Sequence, residues 1–121
     1  MQPTEDQEQT AVFQWAELMR MRCPELGLLF HIPNGGFRHP ATAARMKALG
    51  VKPGVPDLFL PVARGDYYGL WIEMKRRKGG RVSEAQSEWL DALRRQGYKT
   101  IVCCGADAAI AAIEDYLGRR F

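Results

Sequence analysis

The 121-residue sequence has no long hydrophobic run and few cysteines. No apolar stretch approaches the roughly 20 residues that a membrane-spanning helix requires. The start, MQPTEDQEQ, is polar and acidic, whereas a secretory signal peptide begins with basic residues and continues with apolar ones. The three cysteines are an odd number, and their spacing fits neither a disulfide framework nor a zinc site. We therefore expect a cytoplasmic protein with reduced thiols and no membrane partner.

The composition is that of an ordinary globular protein. Hydrophobic residues make up 46% of the chain and charged residues 26%, which excludes disordered and fibrous classes. A chain of this length has room for one hydrophobic core. We therefore expect a single domain over residues 1–121.

Acidic residues are absent from a long central segment. No Asp or Glu occurs between Glu25 and Asp57. The same segment carries four cationic side chains: Arg38, Arg45, Lys47 and Lys52. A second basic run extends from Lys75 to Arg81, directly after Glu73. The net charge of +3 is mild, but two basic segments on either side of two acids favour a polyanionic partner.

Apolar periodicity predicts an α/β fold with a small mixed sheet flanked by helices. The predicted helices are residues 4–22, 41–49, 83–96 and 106–117, and the predicted strands are residues 28–32, 57–62, 69–75 and 100–104. A short connection joins the second and third strands, so they should form an antiparallel hairpin. A helix joins the third and fourth strands, so these should be parallel with a right-handed crossover.

Two carboxylates are expected at one end of this sheet. Asp57 begins the second strand and Glu73 lies near the end of the third, so antiparallel pairing brings them together, and Lys75 shares the face of Glu73. Carboxylates a few ångströms apart repel, and a proton, Lys75 or a divalent cation could offset the repulsion. Oxygen ligands suit Mg²⁺ or Mn²⁺. The alternative is structural, with Asp57 capping a turn after Pro56 and Glu73 forming an exposed ion pair with Lys75.

Several motifs in order resemble a known nuclease family. GVPDLFL followed by WIEMK resembles the PD-(D/E)XK nuclease signature. The G-x-P-D-L form, the preceding NGG loop and the later S-x-x-Q-x-x-W helix resemble the VRR-NUC branch of that superfamily, and the similarity extends from Glu5 to the last helix. It implies a divalent-metal-dependent nuclease with a restriction-endonuclease-like core of α-β-β-β-α-β order, in agreement with the periodicity.

The resemblance also assigns roles to the residues around the hairpin. It implies that Asp57 and Glu73 are metal ligands, that the Met74 carbonyl is a further ligand, and that Lys75 is the catalytic lysine. Mg²⁺ or Mn²⁺ is the implied cofactor. Such a site is usually completed by an acid from the first helix.

Two residues compete for that helical ligand, because Glu5 and Glu8 lie three apart on one helix face. Glu5 precedes Gln9 by four residues, as in the E-x-x-x-Q arrangement of the family, and is narrowly favoured. Glu8 is better placed relative to the apolar face of the helix. Both therefore stay candidates.

The helix of residues 83–96 carries a glutamine with two possible roles. Gln86 could complete a capping box with Ser83, or it could position water or Lys75, as the matching glutamine of the family is thought to do. Trp89 could be a platform for base stacking, but its place on the apolar stripe with Leu93 favours the core, where we expect it.

Predicted DNA contacts fall in the two basic segments, where glycines allow close backbone approach and arginines bind phosphate with paired hydrogen bonds. The candidates are Asn34, Gly35, Gly36, Arg38, Arg45, Lys47, Arg76 and Arg77. Nothing in the sequence resembles a base-reading helix, which favours recognition of DNA structure.

Stand-alone members of the family are mostly phage or bacterial proteins and resemble Holliday-junction resolvases that act as homodimers. The resemblance therefore implies a homodimeric, structure-selective DNA endonuclease in a bacterial cell or a phage-infected host. A flap, nicking or restriction-type nuclease and a non-catalytic DNA-binding module are the alternatives.

Overall fold

The computed structural model describes residues 1–33 and 39–119 of the chain. In chain order its elements are α1 (Glu5–Met19), a 3₁₀ helix (Pro24–Leu28), β1 (Phe30–His31), α2 (Pro40–Ala48), β2 (Leu58–Leu60), β3 (Leu70–Lys75), α3 (Glu84–Arg95), β4 (Lys99–Cys104) and α4 (Ala106–Leu117). Among the helices of these residues, none is both long and apolar enough to cross a membrane.

The four strands form one mixed sheet in the order β1-β2-β3-β4. β2 pairs antiparallel with both β1 and β3, whereas β3 and β4 are parallel. The predicted hairpin and the predicted parallel pair are both confirmed, as is the restriction-endonuclease-like order of helices and strands. In the hairpin, Phe59 lies opposite Trp71 and Leu58 opposite Ile72.

The first strand is shorter than the prediction of residues 28–32. Pro24 opens a 3₁₀ helix that continues through Leu28 and buries Leu26, and only Phe30 and His31 pair with β2. A short apolar run does not distinguish a strand from a helical turn, and proline at a first helical position favours the turn. The first helix also ends early, at Met19, because the chain turns there and carries Cys23 into the core.

The two faces of the sheet have different chemistry. One face carries alternate buried apolar residues, which pack against α1 and α4 in a single core: Leu58, Leu60, Leu70, Ile72 and Met74. The other face carries Phe59, stacked on Trp71 with ring centroids 4.1 Å apart, and then Glu73 and Lys75. The helix α3 covers the β3–β4 part of this second face, where Arg94 Nη2 donates to Thr100 Oγ1 at 2.7 Å. The sheet therefore places its charged residues opposite the core and next to α3.

Gly54, which begins the G-x-P-D segment, fixes how closely this segment approaches α3. Its φ is +90°, and a Cβ atom at this position would lie 2.7 Å from the carbonyl carbon of Ala85 and 2.8 Å from its oxygen. No side chain fits between these two backbones, so the turn before Asp57 packs directly on the first turn of α3.

We expect Gly54→Ala to destabilise the protein more than Gly50→Ala. Gly50 has a similar φ of +92° but no atom within 4 Å of the added Cβ, so it is a matched control for backbone strain alone. Because of the clash with Ala85, Gly54→Ala should lower the free energy of unfolding by about 1–3 kcal/mol more than Gly50→Ala does. Urea denaturation measures both free energies of unfolding, and equal losses would show that the contact with α3 is not tight.

Candidate functional site

Three carboxylates meet where α1 begins, β2 begins and β3 ends. One carboxylate oxygen from each of Glu5, Asp57 and Glu73 lies within 4.8 Å of the others. Burial increases through the group: Glu5 is exposed, Asp57 is half-buried and Glu73 is buried. The antiparallel hairpin brings Asp57 and Glu73 together, and the first turn of α1 supplies the third acid, Glu5.

Asp57 is held by both strands that neighbour it. Its backbone carbonyl accepts the Ile32 N–H at 2.8 Å, and Nδ1 of His31 lies 2.8 Å from the same oxygen. Its carboxylate Oδ2 accepts the Met74 N–H at 2.8 Å. The peptide and the carboxylate of Asp57 are therefore both oriented by hydrogen bonds to its neighbours.

A single amide connects Glu73, Lys75 and the start of α3. Gln86 Nε2 donates to Glu73 Oε2 at 3.1 Å, while Gln86 Oε1 accepts from Lys75 Nζ at 3.0 Å and from the Ser83 N–H at 2.9 Å. Lys75 Nζ also lies 3.5 Å from Glu73 Oε2. The capping box between Ser83 and Gln86 is complete, and the same glutamine side chain contacts both charged residues of β3.

Burial and the negative charge of Asp57 favour the protonated form of Glu73. The pKa of Glu73 is raised to about 8, first by burial, then by the negative charge of Asp57 and by a hydrogen bond with it, while Lys75 opposes the shift. A carboxyl group in this position releases its proton readily only when another positive charge replaces it. The group therefore has the electrostatics of a cation site.

The donor set fits a small divalent cation. All three donors are carboxylate oxygens, which Mg²⁺ and Mn²⁺ prefer. Two oxygens on one Mg²⁺ lie at most about 4.2 Å apart because each bond is about 2.1 Å long. The carboxylate oxygens of the group all lie within 4.8 Å of one another, which is close to that limit.

Glu8, the other candidate from α1, lies elsewhere. Its buried carboxylate accepts from Arg77 Nε at 2.8 Å and from the Ala106 N–H at 3.3 Å, at the first residue of α4. A negative charge at a helix N-terminus is stabilised by the helix dipole. The structure thus brings Glu5 into the carboxylate cluster and uses Glu8 to join α1, α4 and the segment after β3.

The predicted DNA-contact residues are partly on the described surface. Arg45 and Lys47 are exposed on α2, which buries none of its residues, and Arg76 is exposed after β3 with one bond to the Gly79 carbonyl. Arg77 is engaged by Glu8. The remaining four candidates, Asn34, Gly35, Gly36 and Arg38, lie outside the described residues.

Two residues near the site were not predicted to take part in it. Gln2 holds the main chain of Lys78 through two bonds of 3.1 Å, which fastens the N-terminal segment to the basic run after β3. No sequence signal marks Gln2, because the contact spans 76 residues. His31, beside the Asp57 carbonyl, could have been inferred only from the register of β1 on β2.

The fold and the site together define a class. A mixed sheet of this order, with an antiparallel hairpin carrying Asp57, Glu73 and Lys75 at one end, is a restriction-endonuclease-like architecture with a candidate cation site.

Comparison with known proteins agrees with this assignment. The VRR-NUC domain matches residues 4–107. A solved structure described as a VRR_NUC domain protein is 34% identical, with a TM-score of 0.84, and the alignment covers 98% of this chain and 91% of that one. A search of curated proteins found no match. The chain belongs to the VRR-NUC domain family, which implies nuclease activity and DNA binding.

The metal-free protein should lose stability as pH rises. The pKa of Glu73 is raised from 4.5 to about 8 in the folded state. Protonation of Glu73 therefore stabilises the folded protein fully below pH 4.5, and this stabilisation is lost by about pH 8. With a chelator present, the free energy of unfolding should fall by several kcal/mol over this interval, because one pKa unit is worth about 1.4 kcal/mol. Urea denaturation of wild type and Glu73→Gln across pH measures the effect.

The control is Glu73→Gln, which keeps a neutral side chain at every pH and should lack this decline. Added Mg²⁺ should restore the stability of the wild type at high pH, since binding to the folded state alone is stabilising. Parallel pH profiles for the two proteins would show that the site does not hold a proton on Glu73.

Arg77→Met should destabilise the protein, because it leaves the Glu8 carboxylate buried without its cation. Because Arg77 itself is exposed, the loss arises from the buried Glu8 carboxylate that it leaves unpaired. Adding Glu8→Gln should recover part of it. Arg76→Met, at an exposed neighbour, should change the free energy of unfolding by at most about 0.5 kcal/mol. A stable Arg77→Met variant with weakened DNA binding would instead make Arg77 a phosphate contact.

Proposed function

We propose that this VRR-NUC protein is a divalent-metal-dependent endonuclease that hydrolyses phosphodiester bonds in structured DNA. The observation that carries the proposal is the cluster of Glu5, Asp57 and Glu73 with the Lys75 ammonium 3.5 Å from Glu73. An acidic cluster alone is common on protein surfaces. Here one of the acids is buried, and a lysine and a glutamine are held against it.

The three acids would hold Mg²⁺ or Mn²⁺, with the Met74 carbonyl as a further ligand. When bound, the cation would neutralise phosphate charge and lower the pKa of the attacking water. The Met74 N–H fixes one oxygen of Asp57, which orients this carboxylate in advance. Pre-oriented ligands of this kind reduce the reorganisation that the reaction requires.

Lys75 supplies positive charge where the phosphate becomes more negative. Its ammonium group is held by Gln86 Oε1 at 3.0 Å, so it cannot swing freely into solvent. A fixed cation stabilises a developing charge more effectively than a mobile one. Gln86 acts as a positioning residue for Lys75 and Glu73.

DNA would lie across the basic residues that surround the site. Arg45 and Lys47 on α2 and Arg76 after β3 are exposed. The other predicted contacts are Arg77, which pairs with Glu8, and four residues outside the described part of the chain: Asn34, Gly35, Gly36 and Arg38. These groups bind phosphates and carry no base-specific information. The enzyme would therefore select DNA by its structure.

The finer proposal is a cytoplasmic homodimer that resolves branched DNA, as Holliday-junction resolvases do. Two sites on one dimer would cut two strands of a branched substrate. Its support is the resemblance of small stand-alone family members to such enzymes.

Asp57→Asn and Lys75→Met should each slow metal-dependent cleavage of labelled branched DNA by at least about 100-fold. The first change removes a ligand charge, and the second removes the positive charge beside the phosphate. Asp66→Asn, in the exposed turn between β2 and β3, and Lys99→Met, at the start of β4, are the matched controls and should cut normally.

The same assay on four-way, flapped, nicked and linear DNA separates the enzyme classes. DNA binding without cleavage in either Mg²⁺ or Mn²⁺ would establish a non-catalytic binding module. Equal cleavage by wild type and Lys75→Met would remove Lys75 from the mechanism. Light scattering that found only a 13.7 kDa species would contradict the dimer.

A further inference from the structure

An apolar cavity of about 500 Å³ lies between α2 and α3. Trp89 of α3, half-buried and not in the core where it was expected, forms one side of the cavity. Its other apolar lining residues include Ile32, Met46, Leu49, Val51 and Val55. Its volume is within the roughly 300–1,000 Å³ that small-molecule sites occupy, and none of the lining residues belongs to the carboxylate cluster.

The cavity adjoins the carboxylate cluster through three separate connections. Ile32 donates its N–H to the Asp57 carbonyl at 2.8 Å. Val55 precedes Asp57 by two residues. Trp89 follows Gln86 by three residues on α3, so the two side chains lie on one helix face about one turn apart. The cavity and the carboxylate cluster are therefore built on the same short segments around Asp57 and on the same helix, α3.

The α2 side of the cavity is basic, whereas α3 carries the exposed Glu88 next to Trp89. Lys52 lines it directly, and Arg45 and Lys47 are exposed on the adjoining helix α2. The sequence from residue 26 to residue 56 contains no carboxylate to offset these charges. An occupant that combines a flat apolar group with negative charge on either side matches both features.

We propose that this cavity binds one unpaired nucleobase of the DNA strand that is cut. The proposal rests on the nuclease function proposed above and defines its substrate more closely. The base would stack on the Trp89 indole and contact the Met46 thioether, while the phosphates on either side meet Arg45 and Lys52. Stacking on an aromatic side chain is available to every base, so the cavity would recognise an unpaired nucleotide without reading its sequence.

The proposal predicts which DNA structures are preferred. Extruding a base from a duplex costs unstacking and unpairing energy, whereas a nucleotide that is already unpaired enters without this cost. The enzyme should therefore favour flaps, bulges and opened branch points over DNA that is paired throughout. Among four-way junctions, one whose branch point opens and leaves a nucleotide unpaired should be cut faster than one that stays fully stacked.

A second copy of this chain is the rival occupant, since α2 buries none of its own residues. Nucleic acid is favoured because of the charge on the α2 side of the cavity. In a symmetric contact centred on α2, Arg45, Lys47 and Lys52 would face their copies in the second chain and repel them. The mass of the variants below decides between the two.

The test is the ratio of two dissociation constants for the full-length chain. Fluorescence anisotropy in EDTA, which prevents cleavage, measures binding to a blunt duplex and to the same duplex with three unpaired central thymidines. Wild type should prefer the second duplex by about 5- to 150-fold, the range for stacking one base. Trp89→Leu should reduce this ratio at least fivefold, and Trp89→Phe, which keeps an aromatic ring, should preserve most of it.

Met46→Ala provides a second variant, because α2 contributes no buried residue and the fold should tolerate the change. It should also lower the ratio, with an unchanged salt dependence for the blunt duplex. Ratios equal to wild type in both variants would overturn the proposal, and so would conversion of a dimer to a monomer by either change. If Asp57 and Lys75 still govern cleavage in that case, the nuclease function stands without the base site.

Discussion

Repulsion between the carboxylates of Asp57 and Glu73 is the constraint on which the rest of the site depends. The antiparallel pairing of β2 and β3 forces these groups together, and burial of Glu73 prevents water from screening them. Each neighbour lowers part of that cost: the Met74 N–H donates to Asp57, and Gln86 donates to Glu73. These hydrogen bonds offset only part of the repulsion between the two carboxylates. A bound proton or a divalent cation would offset the rest. The demand for a positive charge at this site thus originates in the strand register.

The position of Glu5 does not depend on the strand register, because Glu5 lies in the first turn of α1, outside the sheet. Two contacts hold that segment: Gln2 binds the Lys78 main chain, and Glu8 joins Arg77 to the start of α4. The basic run after β3 therefore helps to hold the carboxylate cluster in place. Some of its charge is already used within the protein, and less is available to bind phosphate than the sequence suggests.

Much of the fold was predictable because its signals are local. The apolar alternation of β3 and the Ser83–Gln86 capping box depend on residues close in sequence, and both are present as predicted. Helical periodicity could not separate Glu5 from Glu8, because both lie on one helix face. The spacing to Gln9 favoured Glu5 only narrowly, since tertiary contacts decide where each side chain lies. The short first strand and the incomplete burial of Trp89 depend likewise on packing between distant segments, which a single sequence does not record.

The double role of Gln86 links the stability of α3 to the chemistry of the site. Capping boxes commonly carry glutamate at this third position, where it also suits the helix dipole. At this position a glutamate would place a further carboxylate against Glu73 and would remove the amide N–H that Glu73 now accepts. The residue that would strengthen the helix would therefore weaken the site. Redesign of this helix for thermal stability has to leave its third residue an uncharged amide.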